Sequence, residues 1–144
     1  MLILDEPTSG LDPVVRNEAL ELLQDIVAKE QTSVFFSSHI TEDILKIADY
    51  VTYINNGKVL LSDRKKNLLE KYKKVSFSEE VPEHIRHQLP LYRNKTAIVG
   101  AGNGLEYIEA MGLQESQLEY APASLDEILL MLIEENTSNV EVNN

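Results

Sequence analysis

The chain has 144 residues, of which 43% are hydrophobic and none is cysteine, so it can bury a core but excludes a disulfide framework and a thiolate metal site. Its 24 acidic and 13 basic residues give a formal net charge of −11. This balance argues against a nucleic-acid partner, because binding by counterion release requires Lys and Arg.

Membrane-spanning and secretory classes are also excluded by the sequence pattern. No apolar run approaches the ~20 residues that a membrane span needs. The N-terminus lacks the basic and then apolar segment of a secretory signal. We therefore expect the chain itself to be soluble and cytoplasmic.

The first predicted element is a short apolar strand, residues 2–4, followed at once by Asp5 and Glu6. In open α/β sheets, ligands bind beyond the carboxyl ends of the strands. Mg²⁺ prefers oxygen ligands and commonly takes one or two carboxylates beside nucleotide phosphates. Asp5 is therefore a candidate magnesium ligand, and Glu6 is a candidate for polarising an attacking water. The plain alternative is a solvated strand end.

Asp12 and Pro13 predict the start of a helix, because Asp is a good N-cap and Pro fits the first helical position. The helix is expected to end near Lys29. Apolar residues at a spacing of three and four predict its buried face, namely Val15, Ala19, Leu22, Leu23 and Ile26.

A second short strand, within residues 33–38, ends at His39. If the two strands are parallel, His39 lies on the same sheet edge as Asp5 and Glu6. A structural histidine is the alternative interpretation of a lone His. Thr41 is expected to cap the next helix. Asn56-Gly57 between two apolar runs then predicts a β-hairpin.

Three motifs in this order resemble those of ATP-binding cassette (ABC) ATPases. Residues 2–7, LILDEP, look like the Walker B motif, and residues 8–13, TSGLDP, look like the D-loop of transporter members. Residues 37–39, SSH, look like the switch (H-loop) histidine motif. The family has a hairpin after that histidine, and the likeness extends over about residues 1–72.

The resemblance implies an α/β fold: the C-terminal half of an ABC-type P-loop NTPase parallel-sheet domain, followed by a small α+β subdomain. It implies ATP and Mg²⁺ as cofactors. Asp5 would hold the Mg²⁺, Glu6 would be the general base, and His39 would contact the γ-phosphate. Ser9 and Asp12 would belong to the D-loop at the nucleotide site, which lies across the interface of two such domains.

The implied function is the ATP-hydrolysing subunit of an exporter-type ABC transporter, at the inner face of the cell membrane. Its partners would be a membrane permease and a second ATP-binding subunit. No G-x-x-x-x-G-K-[ST] loop and no LSGGQ-like signature occur in the sequence. We therefore expect a truncated form that does not hydrolyse ATP alone. The alternatives are a non-enzymatic dimerisation or permease-binding module, and a soluble ABC ATPase of translation.

The character of the sequence changes near Lys74, where we place a boundary between residues 1–74 and an α+β accessory subdomain, residues 75–135. Short strands are predicted within residues 75–78, 96–99 and 118–120. Ser124 is expected to cap a final amphipathic helix. The polar residues 136–144 are expected to form a disordered tail.

Overall fold

The computed structural model describes residues 1–100, 104–112 and 115–141. It is a mixed α/β structure with one parallel and two antiparallel sheets among these residues. The chain separates into two compact units, Met1–Asp49 and Tyr50–Asn144. None of the helices in the described ranges combines the length and the apolar character that a membrane crossing requires.

The first unit is a βαβα segment. Its elements are β1 (Leu2–Leu4), α1 (Pro13–Glu30), β2 (Val34–Phe36) and α2 (Thr41–Ile47). Strands β1 and β2 pair in parallel, as the short apolar runs joined by a helix predict.

Helix α1 starts as predicted, because Oδ1 of Asp12 accepts hydrogen bonds from the backbone N–H groups of Val14 and Val15. Its buried face is only partly the predicted one. Leu20 and Leu23 are buried, whereas Val15 and Leu22 are exposed. Helix α1 contacts α2, and only a narrow stripe of α1 is covered. Thr41 begins α2 but the N-cap position is Ile40, which has no side-chain cap, so that prediction is wrong.

The second unit begins with the predicted hairpin, in which Asn56-Gly57 joins β3 (Tyr50–Asn55) to β4 (Lys58–Arg64). Asn56 and Gly57 both have positive φ, as a two-residue hairpin turn of type I′ requires. The remaining elements are α3 (Lys65–Lys71), β5 (Tyr72–Phe77), α4 (Glu83–Arg86), β6 (Thr96–Gly100), α5 (Leu105–Ala110), a 3₁₀ turn (Glu115–Gln117), β7 (Leu118–Pro122) and α6 (Leu125–Glu141).

Strand β5 is the centre of the second unit, paired antiparallel to β6 on one side and β7 on the other. Apolar residues cover both faces of this sheet, since alternate strand residues point to opposite sides. One cluster contains Val75, Phe77, Val81, Leu89, Ala97, Val99 and Ile108. The other contains Tyr72, Ile98, Ala123, Ile128 and Met131.

Two boundaries differ from the sequence prediction. The division between units falls after Asp49 rather than at residue 74. Leu68 of α3 is buried and Leu69 packs on the Tyr72 cluster, so the segment before residue 74 shares the core of the second unit. Helix α6 also runs to Glu141, although the sequence predicts disorder for residues 136–141. The helix extends because an apolar helix can propagate into polar residues once it is nucleated. Residues 142–144 of that predicted tail lie outside the described residues.

Candidate functional site

The carboxyl ends of β1 and β2 form the edge at which the predicted site residues meet. The strands are parallel, with Leu2 beside Val34 and Leu4 beside Phe36. Their C-terminal ends therefore point in the same direction, and the residues that follow emerge side by side. The expectation that His39 shares an edge with Asp5 and Glu6 is confirmed.

Ser37 joins the two carboxylate residues at this edge. Its hydroxyl donates a hydrogen bond to Oδ1 of Asp5 at 2.5 Å and accepts one from the backbone N–H of Glu6 at 2.9 Å. Its own N–H donates to the carbonyl of Leu4 at 3.0 Å, which extends the parallel pairing by one step. Ser37 lies in the SSH motif, but sequence analysis gave its side chain no role. The only signal was its position one residue beyond β2, opposite the acidic pair.

Glu6 has a left-handed backbone conformation, with φ of 47°. For a residue other than glycine this costs about 1–3 kcal/mol, and it persists only where neighbouring contacts hold it. Two hydrogen bonds hold it. The N–H of Glu6 donates to the Ser37 hydroxyl, and the N–H of Ser9 donates to the carbonyl of Glu6 at 3.1 Å. The sharp turn ends β1 and fixes where the Glu6 side chain leaves the backbone.

The side chain of Glu6 reaches His39. Its Oε2 lies 2.8 Å from Nδ1 of His39. The Glu6 side chain is 36% exposed and that of His39 is 69% exposed, so both are open to a ligand arriving from solvent. This contact uses one carboxylate oxygen of Glu6 and one ring nitrogen of His39. The second oxygen of Glu6 and Nε2 of His39 stay available for further contacts.

Asp5 could supply one of the oxygen ligands of a magnesium ion. The Ser37 hydroxyl contacts Oδ1 and orients the exposed carboxylate. Across the described residues, no three or more His, Asp or Glu side chains gather into a metal site. A single carboxylate fits Mg²⁺, which usually keeps waters and phosphate oxygens as its remaining ligands.

Ser9 and Asp12 occupy different positions from the Asp5, Glu6 and His39 group. Ser9 is exposed in the loop before α1. The Asp12 carboxylate caps α1. Within the part of the chain that the structure describes, neither side chain hydrogen-bonds to Asp5, Glu6 or His39.

A buried polar cluster lies next to this loop. Thr8 and Asp43 are 2% and 1% exposed, and the Thr8 hydroxyl donates to Oδ2 of Asp43 at 2.5 Å. Nε of Arg16 lies 2.7 Å from Oδ1 of the same carboxylate, a charge contact without hydrogen-bond geometry. Sequence reasoning missed this cluster, since nothing in the local pattern of α2 shows that Asp43 faces inward.

Comparison with known proteins finds relatives over part of the chain. No protein-family model matches the chain. It is 44% identical over 59 residues to the thiamine import ATP-binding protein of Photobacterium profundum, a match that covers 41% of this chain and 24% of that protein. It is 32% identical over 97 residues to an ABC transporter ATP-binding protein of Mycoplasma pneumoniae, covering 65% and 30%.

A third relative is the bacitracin transport ATP-binding protein of Bacillus licheniformis, 36% identical over 83 residues, covering 56% of this chain and 27% of that protein. A solved ABC transporter structure in an inward-facing conformation gives a TM-score of 0.44 at 21% identity, covering 67% of this chain and 38% of that chain, too distant a likeness to support an argument.

The matched region spans between about a quarter and a third of the length of these three relatives. Their common description is that of an ATP-binding protein for transport, and the segment shared with them is a substantial part of this chain. The chain is therefore related, over part of its length, to the ATP-binding proteins of ABC transporters.

Proposed function

We propose that this chain supplies the hydrolytic edge of an ABC transporter ATP-binding subunit. The observation that carries the proposal is the contact between Glu6 and His39 at the carboxyl end of a parallel strand pair. The relationship to ABC ATP-binding proteins supports ATP as the nucleotide. We also propose that the subunit hydrolyses ATP with Mg²⁺ and that it works with a second ATP-binding subunit and a membrane permease.

Asp5 is proposed as a ligand of Mg²⁺, held in orientation by the hydroxyl of Ser37. The ion, when bound, neutralises charge on the phosphate oxygens during phosphoryl transfer. Asp5 supplies one oxygen ligand, in keeping with the preference of Mg²⁺ for few protein ligands beside a nucleotide.

Glu6 is proposed as the general base. It would accept a proton from the attacking water through the carboxylate oxygen that His39 leaves open. The left-handed backbone at Glu6 and its two backbone hydrogen bonds support this role, because they restrict the direction in which the carboxylate points. Such positioning contributes directly to rate, since a base must lie within hydrogen-bond reach of the proton it takes.

His39 is proposed to contact the γ-phosphate through Nε2 while Nδ1 faces Glu6. A neutral imidazole has one donor nitrogen and one acceptor, whereas an imidazolium donates from both. Donation to Glu6 and to a phosphate oxygen at the same time therefore requires the protonated ring.

Ser9 and Asp12 are proposed to face a second ATP-binding subunit, as members of the loop between β1 and α1. Both are exposed, which suits a contact with another chain. We propose a membrane permease as the further partner, with the chain at the cytoplasmic face of the cell membrane. The relatives include a thiamine import ATP-binding protein and a bacitracin transport ATP-binding protein, so neither a cargo nor a direction of transport is proposed.

The test is a hybrid subunit. In the bacitracin transport ATP-binding protein of Bacillus licheniformis, the segment matched by this chain is replaced with the corresponding residues of this chain. The host with its own segment is measured first, as the reference for folding and ATP turnover. The proposal expects the hybrid to hydrolyse ATP and to lose that activity with Glu6→Gln. A folded hybrid that binds ATP but shows the same turnover with and without Glu6→Gln would contradict it.

A further inference from the structure

Thr8 and Asp43 are the buried polar side chains of the described residues, and they contact each other. Thr8 lies two residues after Glu6, in the loop that leads from β1 to α1. Asp43 lies four residues after His39, in the first turn of α2. Their hydrogen bond therefore links the two chain segments that carry Glu6 and His39.

Arg16 extends this link to α1. Its Nε lies 2.7 Å from Oδ1 of Asp43, and its Nη2 lies 2.8 Å from Oε2 of Glu42. The Asp43 carboxylate is enclosed, whereas the Glu42 side chain is 81% exposed. Of the two acidic partners of Arg16, only Asp43 also contacts the loop.

Burial makes the geometry of this cluster restrictive. An ionised carboxylate inside a protein is costly unless it is paired and hydrogen-bonded. Asp43 is hydrogen-bonded at Oδ2 by the Thr8 hydroxyl and paired at Oδ1 with the Arg16 guanidinium, which lacks hydrogen-bond geometry. A shift of the loop away from α2 would break the Thr8 contact inside the protein, where water cannot replace it.

We propose that Asp43 is a positioning residue for the hydrolytic site: through Thr8 and Arg16 it fixes the loop and α1 against α2, and so holds Glu6 at the distance from His39 that the site needs. Asp43 itself touches neither nucleotide nor water in this scheme. The inference rests on the proposed function for its catalytic consequence, but its structural part, the fixing of the loop, stands on the contacts alone.

The kinetic test uses the hybrid subunit. Thr8→Val removes the hydroxyl at nearly constant shape, Thr8→Ser keeps it, Asp43→Asn removes the charge, and Glu42→Gln is the matched exposed control on the same arginine. We expect Thr8→Val and Asp43→Asn to lower kcat by about tenfold to a hundredfold, the scale of a misplacement near 1 Å. The KM for ATP of these two variants should stay within about threefold of the value for the unaltered hybrid. The kcat values of Thr8→Ser and Glu42→Gln should also stay within about threefold, below that misplacement scale.

A second readout needs no nucleotide. In the 144-residue chain, amide hydrogen exchange is followed at Ser9 and Leu11, whose N–H groups donate to the carbonyls of Glu6 and Thr8. We expect Asp43→Asn and Thr8→Val to speed exchange at these two amides more than at Leu23 inside α1, with Thr8→Ser and Glu42→Gln unchanged.

The two readouts separate the possible failures. If Glu6→Gln leaves the hybrid active, the proposed function fails, while the exchange data still decide whether Asp43 fixes the loop. Equal acceleration at Ser9, Leu11 and Leu23 would show a general stabilising role and would overturn the inference. Unchanged exchange, or unchanged kcat in a hybrid that Glu6→Gln inactivates, would overturn it as well.

Discussion

Nδ1 of His39 lies 2.8 Å from Oε2 of Glu6, although 33 positions separate the two residues in the chain. The pair forms because β1 and β2 are parallel and end at one edge, and because the left-handed turn at Glu6 directs the chain across that edge. The carboxylate and the imidazole are in contact and both are open to solvent, as the proposed general base and γ-phosphate contact require.

Replacement of His39 tests its role at the phosphate. In the hybrid subunit we expect His39→Ala to lower kcat by about 10²-fold, the typical cost of losing one donor to developing charge. ATP turnover at saturating nucleotide is the measurement. Glu42→Gln is the control, because the Glu42 side chain is 81% exposed and contacts Arg16 rather than the pair of Glu6 and His39. Unaltered turnover in His39→Ala would return this histidine to a structural role.

The face of the parallel sheet that carries Ile3 and Phe35 should promote self-association of the 144-residue chain. These side chains are paired in the register and are 66% and 65% exposed. Contiguous exposed apolar surface favours association. We expect the double substitution Ile3→Thr with Phe35→Thr to reduce concentration-dependent association, measured by sedimentation velocity.

The matched control for that prediction is the double substitution Ile54→Thr with Val59→Thr. This pair is also in register and exposed, but the neighbouring pair on its hairpin is Thr52 and Ser62, joined by a hydrogen bond. A polar neighbour interrupts the apolar surface, so the control should change association less. Equal effects of the two double substitutions would contradict a specific contribution from the parallel sheet.

Gly104→Ala should destabilise the second unit. Gly104 has φ of 92°, and an added Cβ would lie 2.7 Å from Cδ of Pro90 and 3.3 Å from Cγ1 of Val99. The substitution therefore combines a left-handed backbone with a steric overlap, and we expect a loss of about 2–3 kcal/mol in the free energy of unfolding. Gly57→Ala is the control, since its φ is 73° but no atom lies within 4 Å of the added Cβ.

Denaturant titration followed by circular dichroism measures both glycine variants. The control should lose only the cost of the positive φ, about 1 kcal/mol. A Gly104→Ala chain no less stable than Gly57→Ala would show that Pro90 moves aside without cost.

Glu127 should make the stability of the second unit depend on acid pH. Burial alone would raise its pKa, but hydrogen bonds from Lys74 Nζ and from the N–H and hydroxyl of Ser124 outweigh burial and lower the pKa below the ordinary value of 4.5. A carboxyl group with a lowered folded-state pKa stabilises the fold above its unfolded pKa. That contribution is lost as pH falls through the folded-state value.

We therefore expect Glu127→Gln to reduce the free energy of unfolding by up to about 1 kcal/mol at pH 7. The difference from the unaltered chain should shrink as the pH is lowered through the region below 4.5. Glu70→Gln is the control, because its pair with Lys66 at 3.8 Å is exposed on α3. A difference that is constant from neutral to acid pH would contradict the assignment.

Local signals predicted much of the fold. Asp12 with Pro13, Asn56 with Gly57, and Ser124 each specify backbone geometry within a few residues, and each predicted feature is present. Ser124 and Glu127 also form a reciprocal capping box at the start of α6. Such features need no knowledge of distant segments.

Features that depend on distant segments were missed. The exposed positions of Val15 and Leu22 follow from how little of α1 its neighbours cover, which its own periodicity does not encode. The division falls after Asp49 and not at residue 74, because Leu68 is buried in the second unit. The sequence around Leu68 does not show which unit buries it. At the site, the shared edge of Glu6 and His39 was predictable from strand direction.

Side-chain pairs that join distant segments could not be read from the sequence. The bridge from Ser37 to Asp5 spans 32 positions, and the bond between Thr8 and Asp43 spans 35. Their existence depends on rotamers and on burial, which are set only once β1, β2 and α2 are assembled.

The most direct test of the account is ATP turnover by the hybrid subunit carrying Glu6→Gln. The amide keeps the shape of the side chain but cannot accept the proton of the attacking water. We expect kcat to fall by about 10²–10⁴-fold, with the affinity for ATP retained within about threefold. Turnover within about threefold of the unaltered hybrid, well short of a general-base effect, would show that Glu6 is not the base and would contradict the proposed function.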